Sequence, residues 1–158
     1  MSEPEFRLNT ATAADIERHL AACDARFVPP LSSRVRLGEY AVKLALRATR
    51  FEAWADDALV GLVALYCNDT DTCVAHVSNV SVASDWHGRG VASNLLARSL
   101  RHARDLGMLT IRLEVGDANR VAIGLYEKFG FRVVGSNASS ATMSRNLDDH
   151  GDRHVKRA

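Results

Sequence analysis

Phe51-Glu52-Ala53-Trp54-Ala55 alternates as a strand does, Asp56-Asp57 marks a turn, and residues 59–67 are more continuously apolar, so the two segments predict an antiparallel hairpin. Before it, Phe6-Arg7-Leu8 reads as a short strand and residues 12–23 as a helix with Thr12 as N-cap and Asp15 and Glu17 in its first turns. Phe27-Val28-Pro29-Pro30-Leu31 ends that helix, because proline lacks a donor and restricts the residue before it. A second helix is expected after Ser32-Ser33, where Leu37, Ala41, Leu44, Ala45 and Ala48 recur at three and four residues.

Past the turn Asn68-Asp69-Thr70-Asp71, residues 73–83 predict a strand whose phase slips. Val77 belongs to the odd-numbered face while Val80 and Val82 belong to the even one, and a β-bulge near Ser78-Asn79 would restore one apolar face. A long helix is expected over residues 88–106, with Ala92, Leu95, Leu96, Leu100 and Ala103 on one stripe, Arg98, Arg101 and Arg104 on a solvated face, and Gly107 ending it. Residues 109–115 predict a strand with Ile111, Leu113 and Val115 on one face and Thr110, Arg112 and Glu114 on the other. A short helix over 119–129, ended by Gly130, and strands over 131–134 and 141–146 complete a single domain of residues 1–147, followed by a flexible polar tail, 148–158.

Composition narrows the partners. A formal charge of +1 gives no basis for nucleic-acid binding or for an anionic membrane surface, and no apolar run approaches a spanning length, so a cytoplasmic protein is expected. Cys23, Cys67 and Cys73 form an odd set without metal-ligand spacing, which suits reduced thiols and predicts no metal.

The segment from Val82 to Ser93 carries the candidate chemistry. It runs from a strand through a turn holding Gly88 and Gly90 into the long helix, and the first N–H groups of a helix, unpaired and at the positive end of its dipole, bind anions. A lone glycine turn is a weak signal, and a dinucleotide-binding module is disfavoured because the three-glycine βαβ fingerprint is absent.

Four segments in order make the signal specific: Asn79-Val80-Ser81-Val82, His87-Gly88-Arg89-Gly90-Val91-Ala92, Leu113-Glu114-Val115, and Asn119-x-x-Ala122-x-x-Leu125-Tyr126-Glu127-Lys128-x-Gly130-Phe131. Together they resemble the GCN5-related N-acetyltransferases, with His87 standing where that family usually has Gln or Arg. The resemblance implies a mixed α/β fold, a mostly antiparallel sheet of about six or seven strands flanked by about four helices, splayed at an acetyl-CoA site. It implies that Val80, Ser81 and Val82 meet the pantetheine arm, that His87, Gly88, Arg89, Gly90, Val91, Ala92 and Ser93 meet the pyrophosphate, and that Asn119 and Tyr126 also contact the cofactor.

The same resemblance makes Tyr126 the acid that protonates the departing thiolate. Glu114, twelve residues before it, becomes the base, as in bacterial ribosomal-protein N-terminal acetyltransferases. Each has a plainer reading: Tyr126 as a core aromatic, Glu114 as a polar strand residue, Asn119 as a helix cap and Arg89 as a surface arginine. His76 is a second candidate base. Phe27 and Asn79 are candidate acceptor contacts, and the connector between the first two helices, with Arg34, Arg36 and Lys43 available to a carboxylate or phosphate, is either an acceptor wall or an exposed link. The expected acceptor is a small-molecule amine or a protein N-terminus, the alternative function is a non-catalytic acyl-CoA-binding module, and a homodimer is the default assembly.

Overall fold

The computed structural model describes residues 3–27 and 29–147. The expected tail, 148–158, and Val28 lie outside the described residues. In chain order the elements are β1 (Glu5–Leu8), α1 (Ala13–Cys23), two 3-10 turns (Asp24–Arg26 and Leu31–Ser33), α2 (Leu37–Arg47), β2 (Thr49–Ala55) and β3 (Ala58–Tyr66). There follow β4 (Val74–Val82), a 3-10 turn (Ser84–Trp86), α3 (Val91–Asp105), β5 (Thr110–Gly116), α4 (Arg120–Lys128), β6 (Arg132–Ser136) and β7 (Ser140–Asn146). The strands form one seven-stranded sheet in the order β1-β2-β3-β4-β5-β7-β6. Every neighbouring pair is antiparallel except β4 with β5.

Local chemistry accounts for the ends of these elements. Thr12 and Asp15 form a capping box that starts α1, each side chain bonding the other's backbone N–H. The β2–β3 hairpin turns on Asp56 and Asp57, at φ 51° and 63°, the left-handed pair that a two-residue hairpin requires. The long helix begins at Val91, three residues later than its expected start, because Gly88 and Gly90 lie at φ 74° and 76°, outside the helical region.

Two apolar cores face each other across the sheet. One gathers Leu95, Leu96, Leu100 and Ala103 of α3, Tyr126 of α4, and Ile111, Leu113 and Val115 of β5. The other packs Ile16 and Leu20 of α1 and Ala41 and Leu44 of α2 on Leu62 and Ala64 of β3. With helices on both faces, β2 buries five successive residues, so the half-polar face that its alternation implied does not exist. Glu52, fully buried there, accepts from the Thr10 and Ala11 N–H groups, the Thr10 hydroxyl and Trp54 Nε1, with Arg50 Nε at 3.6 Å. Arg104 also departs from its expected solvated place, since its Nε donates to the Leu147 carbonyl at 3.1 Å.

The bulge falls where the phase slip places it. Ala64 pairs with Asn79 and Leu65 with Val77, leaving Ser78 as the extra residue, and Val77, Val80 and Val82 all pack toward the α3/α4 core. β4 pairs with β5 only over Val74–Val77 against Thr110–Leu113, and beyond that point the two strands part.

Candidate active site

A cleft of about 1260 Å³ opens where β4 and β5 separate. Ala83 N–H bonds the Val60 carbonyl of β3, so by strand alternation Ser81 also turns its backbone to β3, while Val80 and Val82 turn theirs into the gap. The Val82 carbonyl is taken by His87 Nε2 at 2.7 Å. The Val80 N–H and C=O and the Val82 N–H are left facing the cleft, where β4 no longer pairs with β5.

The cradle forms one wall. Gly90 is the N-cap of α3 without a side-chain cap, and Asn94 N–H is the first to bond back, to the Gly90 carbonyl, so the N–H groups of Val91, Ala92 and Ser93 lack intrahelical partners. His87, Gly88, Gly90, Val91, Ala92 and Ser93 all line the cleft. Arg89 does not: its guanidinium lies over the Trp86 ring, 4.9 Å from the centroid.

Tyr126 and Glu114 approach the cleft from opposite faces of the sheet. Tyr126, on the α3/α4 side, is buried against Phe131, and burial pushes its hydroxyl well above the ordinary phenol range, which keeps it a proton donor at neutral pH. Glu114 lies on the exposed face of β5, opposite Thr142 of β7. Asn119 caps α4, accepting the Ala122 N–H at 3.2 Å while it lines the cleft, so the plainer reading of this residue holds as well.

On the α1/α2 side the floor is a chain of hydrogen bonds. His19 Nε2 contacts Ser81 Oγ at 2.9 Å, and Ser81 Oγ donates to Asn79 Oδ1 at 2.7 Å, so the ring nitrogen is the donor to Ser81. The Tyr40 hydroxyl meets the Ser78 carbonyl at 3.0 Å, and burial raises its pKa above the ordinary phenol value, partly offset by hydrogen bonding with Ser78 and Asn79. Burial drives His19 down to about 4 and the Cys23 thiol beside it up to about 11, so both are neutral at physiological pH. Ser81 therefore turns both its hydroxyl and its backbone away from the gap, unlike Val80 and Val82.

Phe27, Pro29 and Leu31 of the connector, Asn137 and Ser139 of the β6–β7 loop, and Ser140 at the start of β7 close the remaining walls. Periodicity does not bring out Cys23, Arg26 or Arg112 as cleft residues, nor His19, which bonds the lining residue Ser81. His19 and Cys23 are nonetheless signalled, since Ile16, His19, Leu20 and Cys23 share one stripe of α1.

A mostly antiparallel sheet whose single parallel pair splays beside a helix start defines the N-acetyltransferase class of mixed α/β folds. The chain belongs to the acetyltransferase (GNAT) family, whose model matches residues 15–131. It is 40% identical over 60 residues to a mycothiol acetyltransferase of Thermobifida fusca, covering 38% of this chain and 19% of that one. It is 34% identical over 85 residues to a streptothricin acetyltransferase of Escherichia coli, covering 54% and 48%. The chain thus spans from about a fifth to about half the length of the curated relatives it matches. Among solved structures, the PaiA N-acetyltransferase of Thermoplasma acidophilum in complex with coenzyme A shares the fold at a TM-score of 0.71 and 16% identity, over 90% of this chain and 99% of that one.

Proposed function

We propose that the protein transfers an acetyl group from acetyl-CoA to an amine by direct attack in a ternary complex. The observation that carries the reading is the gap itself: unpaired backbone groups of Val80 and Val82, with an anion cradle at one end and an acid and a carboxylate on its two sides. The cradle N–H groups hold the pyrophosphate, and Val80 and Val82 pair with the pantetheine amides as a strand would. Asn119 adds its free amide nitrogen, while Ser81 acts on the arm only through the strand it anchors.

Glu114, directly or through a water, takes a proton from the ammonium so that the nitrogen lone pair can attack the thioester carbonyl. The Val80 N–H stabilises the oxyanion as the C–N bond forms. When the C–S bond breaks, Tyr126 gives its proton to the thiolate and recovers one as the nitrogen sheds its second proton through water on forming the amide, while the ammonium proton lost to Glu114 passes to solvent. Phe27 and Asn79 lie on the acceptor side of the cleft.

Calorimetry with acetyl-CoA, CoA and NAD tests the binding half, and free-thiol release with a panel of amines tests the chemistry. Micromolar acetyl-CoA binding with NAD silent is expected. Tyr126→Phe is expected to lower kcat by ~10² or more at unchanged acetyl-CoA affinity. Binding without thiol release for any amine would leave a non-catalytic acyl-CoA module, and a Tyr126→Phe variant changed only in affinity would remove the tyrosine from the acid role.

A further inference from the structure

Among the described residues, four with formal charge line the cleft on the α1/α2 side: Arg26, Arg34, Arg112 and Glu114. The ion pairs among the described residues are Arg7–Glu5, Arg18–Asp15, Arg36–Glu39 and Arg50–Glu52, so none of these three arginines has a carboxylate within reach. Arg36 and Lys43, equal to Arg34 as sequence candidates, sit instead in a separate shallow depression with Glu39. The cradle for the cofactor's phosphates stands at the start of α3, on the other face of the sheet. The three unpaired guanidiniums therefore face the space left to the acceptor, and they repel a polyamine.

Resting on the transferase reading above, we infer that the acceptor amine carries its own anionic group, a carboxylate or a phosphate, a few bonds from the nitrogen. Arg112 and Glu114 point to the same face of β5 two residues apart, about 6.6 Å along the strand. A compact zwitterion spans that interval, with its ammonium toward Glu114 and its anion toward Arg112. Arg26 and Arg34, at the ends of the two 3-10 turns, bring further positive charge from the connector. Guanidinium forks suit carboxylate and phosphate alike.

Matched amines separate these sources: alanine against alaninamide, and phosphoethanolamine against ethanolamine, each assayed by thiol release. At least one anionic member is expected to exceed its neutral partner about tenfold in kcat/KM, with the preference lost in Arg112→Gln and Arg34→Gln while KM for acetyl-CoA is unchanged. A binding arm does not depend on turnover: N-acetylalanine and N-acetylalaninamide, with O-phospho-N-acetylethanolamine and N-acetylethanolamine, are titrated into the CoA-bound protein and both variants. Tighter binding of an anionic product, abolished by the substitutions, supports the inference. Equal binding within each pair, or a preference that survives both substitutions, overturns it. Absence of thiol release with acetyl-CoA bound counts against the transferase reading alone.

Discussion

His19 occupies a position on α1 where the helix stripe calls for an apolar side chain, and it is tolerated there because it is neutral and bonded to Ser81. That neutrality has a consequence in acid. The folded state holds the ring down to about 4 by burial, whereas the unfolded chain protonates it near its ordinary 6.5. Between those values the unfolded state binds more protons, so the contribution is fully present above the unfolded value and is lost as pH falls. Denaturant titrations at pH 7.5 and pH 5 are expected to differ by about 2 kcal/mol from this group, the acid condition being weaker. His19→Gln should flatten that difference, and an unchanged pH slope would assign the acid sensitivity elsewhere.

At the scale of elements, α3 reaches the sheet through one glycine. A Cβ on Gly61 of β3 would stand 2.7 Å from Val91 Cγ1 and 3.2 Å from Leu95 Cδ1, so Gly61→Ala is expected to cost ~1–3 kcal/mol and to push the first turn of α3 outward. Because Val91 opens the cradle, acetyl-CoA affinity should fall along with thermal stability, which calorimetry and a melting curve read together. The bulge could be read in advance from three valines, since Val77, Val80 and Val82 can share a core only if one residue is inserted between them. Gly61 could not, because a glycine in an apolar strand looks alike whether it faces a helix or a turn. Arg112 and Glu114 were legible as a pair on one face of β5, but nothing local states that the face is open, which depends on α1 and α2 covering β2 to β4 instead. β2 misleads for the converse reason: alternation reports one covered face, and this strand has two.

For the whole molecule, Glu52 ties the start of the chain to the sheet. Its carboxylate gathers Thr10, Ala11 and Trp54, while the paired Arg50 donates to the carbonyls of Ala45 and Ala48 that close α2. Glu52→Gln leaves Arg50 buried without a counter-charge and is expected to destabilise the protein by ~3–5 kcal/mol in denaturant titration, a loss of cohesion in the α1/α2 half. A change under 1 kcal/mol would show that the arginine is stabilised by the carbonyls alone.

The sheet has two parts, β1 to β4 and β5 to β7, joined within it by only four paired residues on each side. On the proposed reading, the ligand lies in the open half of that joint and bonds to backbone that no strand among the described residues serves. It is then a removable eighth strand, and its occupancy and the joint's resistance to opening are one thermodynamic quantity. A cell that runs short of the cofactor would hold, by the same token, a looser protein.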